Sequence, residues 1–126
     1  MPDYEPLSPV DVEAKLRGLV SEMTAAQLAL RDRRDAETQA EIAHRRALVV
    51  ATHREDCPKP ARGSVTVDER KAWLEEQTLD AWAEYRMATT HREIAQDRLR
   101  VTLAIAETVR SLGASVRTAY SLAGSS

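Results

Sequence analysis

The chain has 126 residues, a formal net charge of −2 and a single cysteine, and it is 43% hydrophobic with only 4% aromatic residues and no phenylalanine. This length fits one domain, the near-neutral balance removes any general cationic pull toward nucleic acid or membrane, and a lone Cys57 excludes an intramolecular disulfide. Large core-forming side chains are scarce, so a helical hairpin that shares apolar faces with copies of itself suits the composition better than a compact globule.

Residues 1–7 hold two prolines and two acids and are expected to form an extended arm. The opening MPDYEPLSPV has neither a basic start nor an apolar run, so neither a secretory leader nor a spanning helix is expected. Ser8-Pro9 reads as an N-cap followed by proline at the first helical position, and Asp11 suits the positive end of the helix dipole. A first helix starts there. Val12, Leu16, Leu19, Met23, Ala26 and Leu30 follow a 4-3-4-3-4 spacing. Beyond them a finer stripe of Ala25, Ala29, Ala36, Ala40, Ala43 and Ala47 runs on to Val50, where small residues would let two helices approach closely.

After Arg54 the stretch EDCPKPARGSV contains two prolines and a glycine, which forbid continuation. The hairpin tip is therefore placed at residues 55–65. With a tip near residue 60, antiparallel pairing brings Arg45 near Glu75 and Arg34 near Arg86. Arms of about 45 residues would each be roughly 65–70 Å long.

Thr66 stands three residues before Glu69, the spacing of a capping box, and the segment from Thr66 to Leu112 reads as one long helix. Leu74, Thr78, Ala81, Tyr85, Ala88, Ala95, Leu99, Thr102, Ala106 and Val109 recur at a mean of 3.5 residues, with Arg92 as the main interruption, which is the repeat of helices that wind round partners. From Met87 a second stripe joins at Ile94, Val101, Ile105 and Leu112. A simple hairpin needs only one apolar face. Gly113 could end this helix, yet the seam spacing passes through it to Val116 and Tyr120, which favours a continued or kinked helix. From Thr108 onward the only charges are Arg110 and Arg117. Residues 8–112 are thus read as a helical hairpin and residues 113–126 as a C-terminal oligomerisation helix, in an all-α, coiled-coil homo-oligomer. Ile94, Val101, Ile105, Val109, Leu112, Val116 and Tyr120 are the expected contacts between copies.

Catalytic or metal chemistry finds little support. His53 and Cys57 stand at i, i+4, but two ligands do not make a zinc site and Pro58 puts Cys57 at or past the helix end. His44 and His91 have no carboxylate or thiol at ligand spacing. Glu75, Glu76, Asp80 and Glu84 lie along a helix face that offers no pocket to perturb a pKa. No phosphate loop, nucleophile elbow or HExxH occurs. The reading is a non-enzyme with no cofactor and no metal.

The charge distribution says more. Residues 31–71 carry ten basic and eight acidic side chains, whereas residues 1–30 carry two and five. Arg31, Arg33 and Arg34 are expected to approach Arg86 and Arg92, and Arg45, Arg46, Arg54, Lys59, Arg62, Arg70 and Lys71 crowd the tip half. Such a group can neutralise phosphates. Pairing with Asp32, Asp35, Glu41, Glu69 and Glu75 can equally cancel much of it.

The acidic first helix, basic Ala-rich stretch, Gly-containing tip, second long helix and apolar C-terminal segment resemble the phage recombination mediators of the UvsY type. The local matches are AHRRALVVATHR, Ala43 to Arg54, with its Arg45-Arg46 pair before the tip, and VRSLGASVRTAY, Val109 to Tyr120, with a basic-Ser-x-Gly turn. The resemblance implies a small helical ring-former that binds single-stranded DNA and helps a recombinase displace a single-strand-binding protein, in the cytoplasm of a host cell. The family's second basic group falls on Val50-Ala51-Thr52, so Arg54, Lys59 and Arg62 would have to join Arg45 and Arg46 as phosphate contacts. Trp73, Trp82 and Tyr85 are the central aromatics on which bases could stack, and each fits packing equally well. A structural component of a phage particle, or a helical regulator that captures one protein, are the alternatives.

Overall fold

The computed structural model describes residues 8–124. It contains three helices, α1 (Pro9–Thr52), α2 (Val67–Gln77) and α3 (Leu79–Gly124), and no strand among the described residues. The arm expected over residues 1–7 lies outside them.

Both helix starts are made by local side-chain chemistry. The Asp11 N–H donates to Ser8 Oγ and the Ser8 N–H to Asp11 Oδ2, each at 3.2 Å, so Ser8 and Asp11 cap α1 reciprocally ahead of Pro9. These hydrogen bonds hold the Asp11 carboxyl below its ordinary pKa. Thr66, in an extended conformation at φ −85° and ψ 164°, accepts the Glu69 N–H at 3.1 Å and starts α2. Between the helices, the Ser64 N–H returns to the Ala61 carbonyl at 3.1 Å. Gly63, at φ +83°, supplies the left-handed residue that the third position of a type II turn requires.

The expected single helix from Thr66 to Leu112 is instead two, divided at Thr78. The Thr78 hydroxyl donates to the Leu74 carbonyl at 2.8 Å, and Thr78 itself takes φ −112° and ψ 13°. A back-bonded β-branched residue bends a helix in this way. The expected C-terminal helix at 113–126 is likewise corrected: residues up to Gly124 are the last turns of α3, and the seam runs through Gly113 without a break.

The chain forms two compact units, one built from residues up to Leu30 and from Ala95 onward, the other from residues 31–94. In the first, Val12, Leu19, Ala26 and Leu30 of α1 and Ala95, Thr102 and Ala106 of α3 are buried. Gly113 is buried with them. A Cβ on Gly113 would lie 2.7 Å from Val12 Cγ1, so glycine is what lets α1 cross α3 at that point. Stepping seven residues along each helix brings Leu19 level with Ala106, a large residue against a small one.

In the second unit the buried residues include Ala51, Cys57, Thr78 and Thr89. Here α1 departs from the expected alanine stripe. Ala36 and Ala43 are exposed, as is Val50, and the inward line runs through Glu37, Ala40, His44, Ala47 and Ala51, which keeps the 3-4 alternation with two polar members. His44 lies against Tyr85, ring centroids 6.2 Å apart, and Glu37 meets Arg92.

The register also differs from that of a tip centred on residue 60. Val12 meets Gly113, Arg33 meets His91 and His44 meets Tyr85, positions about one to two and a half helical turns further along α3 than expected. The cause is the connection, which folds back on α2 rather than reversing symmetrically: Arg54 reaches Gln77 and Arg70 donates to the Pro58 carbonyl at 3.4 Å. Arg45 consequently pairs with Glu41 on its own helix, at 2.9 Å, and not with Glu75.

Candidate functional site

Arg54 stands at the end of α1, where the chain turns. Its Nε and Nη2 donate to the two carboxylate oxygens of Asp56 at 3.0 and 2.7 Å, and its Nη1 donates to Gln77 Oε1 at 2.8 Å. The guanidinium carbon lies 5.4 Å from the Trp73 ring centroid, a cation–π distance. A planar five-donor group with this many partners is a fixture of the connection. It holds the chain reversal against α2.

The other expected phosphate contacts divide. Arg45 is paired with Glu41. Arg46 on α1, and Lys59 and Arg62 on the connection, are exposed and make no ion pair with any described residue. Arg45 and Arg46 line a shallow surface hollow with Ile42, Val49 and Val50, so cations and apolar side chains share the outer face of the last turns of α1. The expected meeting of Arg31, Arg33 and Arg34 with Arg86 and Arg92 is broken up: Arg31 pairs with Asp32, Arg33 lies 3.4 Å from His91 Nδ1, and Arg92 turns to Glu37.

The Glu37–Arg92 pair is the polar layer within the second unit's seam. Arg92 Nε lies 3.2 Å from both Glu37 oxygens, and Nη2 makes an ion pair at 3.2 Å, with side chains only 26% and 21% exposed for Arg92 and Glu37. Hydrogen bonding from Arg92 holds the Glu37 carboxyl below its ordinary pKa and outweighs the opposing effect of desolvation. A depressed acid stabilises the fold above its unfolded pKa, about 4.3 for glutamate, and that contribution disappears as pH falls through the lower folded value. Glu37→Gln is therefore expected to lower the urea midpoint at pH 7, with the gap to the parent narrowing below about pH 4. Urea titrations of both proteins at several pH values check this, and a gap independent of pH would contradict it.

A groove of about 520 Å³ opens in the second unit where α2 gives way to α3, lined mainly by Leu48, Leu74, Leu79 and Trp82, with His44, Lys71 and Glu75 as its titratable groups. Trp82 is 47% exposed there, whereas Trp73 and Tyr85 are half-buried, one under Arg54 and the other against His44. Glu75, Glu76, Asp80 and Glu84 are all exposed. His53 aims Nδ1 at the Val49 carbonyl, 2.8 Å away, and the buried Cys57 thiol faces the Pro58 carbonyl at 3.8 Å. Among the described residues no three His, Cys, Asp or Glu side chains gather to hold a metal ion, and no helix is long and apolar enough to cross a membrane.

The residues expected to join copies fall into two groups. Ile94, Val101, Ile105, Leu112 and Tyr120 are 45–61% exposed, whereas Val109 and Val116 are half-buried in the seam with α1. Sequence spacing alone put all seven on one apolar end. The structure separates those that α1 covers from those it leaves open. Val20 and Leu28 on α1, 56% and 47% exposed, were not among the expected contacts, because they stand singly between polar neighbours and carry no periodic signal.

No family model, curated protein or solved structure matches the chain.

Proposed function

We propose that this protein is a non-enzymatic helical accessory protein that acts as a homo-oligomer. The observation that carries this reading is the state of α3, whose seam is filled by α1 while Val101, Ile105 and Leu112 remain about half exposed beside it. Contiguous apolar surface at helical spacing marks an interaction face. A catalytic role would call for a pocket in which a carboxylate, imidazole or thiol is aimed at a reacting group; in the 520 Å³ groove the surroundings are mostly apolar and the titratable side chains come singly.

A second observation narrows the task. Arg46, Lys59 and Arg62 are exposed cations with no acid partner among the described residues, and repeated in each copy of an oligomer they multiply weak phosphate contacts. Single-stranded DNA is the polyanion that the resemblance to UvsY-type mediators implies, with a recombinase or single-strand-binding protein as the protein partner. Arg54 then acts as a brace for the connection that carries Lys59 and Arg62.

Fluorescence anisotropy of a labelled oligonucleotide tests this. Three phosphate contacts per copy predict a log–log dependence of affinity on salt with a slope of about −2. Reversing Arg46, Lys59 and Arg62 to glutamate is expected to abolish binding while leaving the mass in solution unchanged. Undiminished binding by that variant, or no binding by the parent at low salt, would remove the DNA reading and leave that of an assembly component.

A further inference from the structure

In the unit formed by residues up to Leu30 and from Ala95, α1 covers the line Ala95, Leu99, Thr102, Ala106, Val109, Gly113 and Val116 of α3, all buried or half-buried. Roughly a quarter to a third of a turn round the same helix lies a second line, Arg98, Val101, Ile105, Thr108, Leu112 and Ser115, with the same 3-4 alternation. Every member of it is exposed, Val101 at 54%, Ile105 at 45% and Leu112 at 48%.

We propose that a second copy of this chain covers this line with the two α3 helices antiparallel, Val101 of each copy beside Leu112 of the other and Ile105 beside Thr108. The proposal rests on the association reading above and gives it a geometry. A 3.5-residue repeat is the signature a supercoiled helix leaves on the surface it packs against, so the occupant is a helix. Within one copy α1 already faces the other line, and α2, at 11 residues, belongs to the other unit. A twin helix carries the matching period by construction, and a patch that meets itself across a two-fold axis closes at two copies.

Direction follows from charge. Parallel pairing in register places Arg98 of one copy in the same layer as Arg98 of the other, a like-charge layer within an otherwise uncharged line. Antiparallel pairing sets Arg98 beside Ser115, whose short side chain lets the guanidinium reach water. Two helices about 36 Å long packed along this line remove on the order of 1,200 Å² in total, the lower bound for a stable interface.

Spin labels on the full chain distinguish the outcomes. Cysteines are introduced singly at Ala104, near the centre of the line, and at Thr118, near its end, both exposed, in a Cys57→Ala background whose mass in solution matches the parent. Antiparallel pairing predicts a distance between copies under about 20 Å for the label at 104 and about 35–40 Å for the label at 118. Short distances at both positions would overturn the antiparallel geometry and leave the association reading standing. A monomer mass at micromolar concentration would remove both. Val101→Glu with Leu112→Glu is expected to convert the assembly to smaller species with helicity retained; an unchanged mass would show that this line is not the contact.

Discussion

Leu19→Ala is expected to cost about 2–5 kcal/mol, the range for removing a buried leucine side chain, against a total of roughly 5–15 kcal/mol for an ordinary domain. Leu19 is only 3% exposed. The register set by Val12 and Gly113 places it level with Ala106, which is too small to move into the space left behind. The loss should be local to its own unit. Hydrogen exchange is expected to accelerate in α1 between Val12 and Leu30 and in α3 between Ala95 and Val116, and much less between Glu37 and Thr52. Urea unfolding followed by circular dichroism gives the magnitude, and uniform acceleration along the whole of α1 would show that the two units unfold as one.

Gly113→Val should cost about 1–3 kcal/mol, the usual penalty for overpacking a tight contact. Even a single Cβ there stands 2.7 Å from Val12 Cγ1, and valine adds two further methyl groups. Val12 has little freedom to turn away, because a β-branched residue in a helix strongly prefers one rotamer. The intrinsic preference of a helix for valine over glycine, a few tenths of a kcal/mol, offsets only part of this. Val12→Ala alone is also destabilising, since Val12 is 6% exposed. In the Gly113→Val background, however, the same change should restore stability. A double-mutant cycle measures the coupling, expected at about 0.5–3 kcal/mol; additivity would mean that the two residues do not touch.

The caps were legible from sequence because each is a local device. Ser8 with Asp11, and Thr66 with Glu69, need only a three-residue spacing to be recognised, and both operate as read. The inner line of α3 was legible for a related reason: from Leu74 to Val109 its members are small or apolar at regular intervals. The middle of α1 was not, since its inward positions include Glu37 and His44, whose partners Arg92 and Tyr85 lie on another helix. Nor was the register. It depends on how Arg54, Asp56, Trp73 and Gln77 gather in the connection, and no pair of those residues stands at a diagnostic spacing. The same contacts explain why Arg54 looked like a free cation in the sequence. Thr78 had been read as a seam position and is one, buried at 3% exposed; its hydroxyl's bond to Leu74 marks a division that periodicity does not register.

Thr78, Thr89 and Thr102 are buried, yet each hydroxyl donates to a carbonyl of its own helix, those of Leu74, Tyr85 and Arg98 at 2.8, 3.1 and 2.9 Å. None of these bonds ties one helix to another. Over generations, such positions are free to drift to alanine, valine or serine without orphaning a group across the gap, whereas a change at Glu37 strands Arg92 and one at Gly113 collides with Val12. Descendants of this chain should therefore diverge fastest at the seam hydroxyls and slowest at the few sites where two helices answer each other.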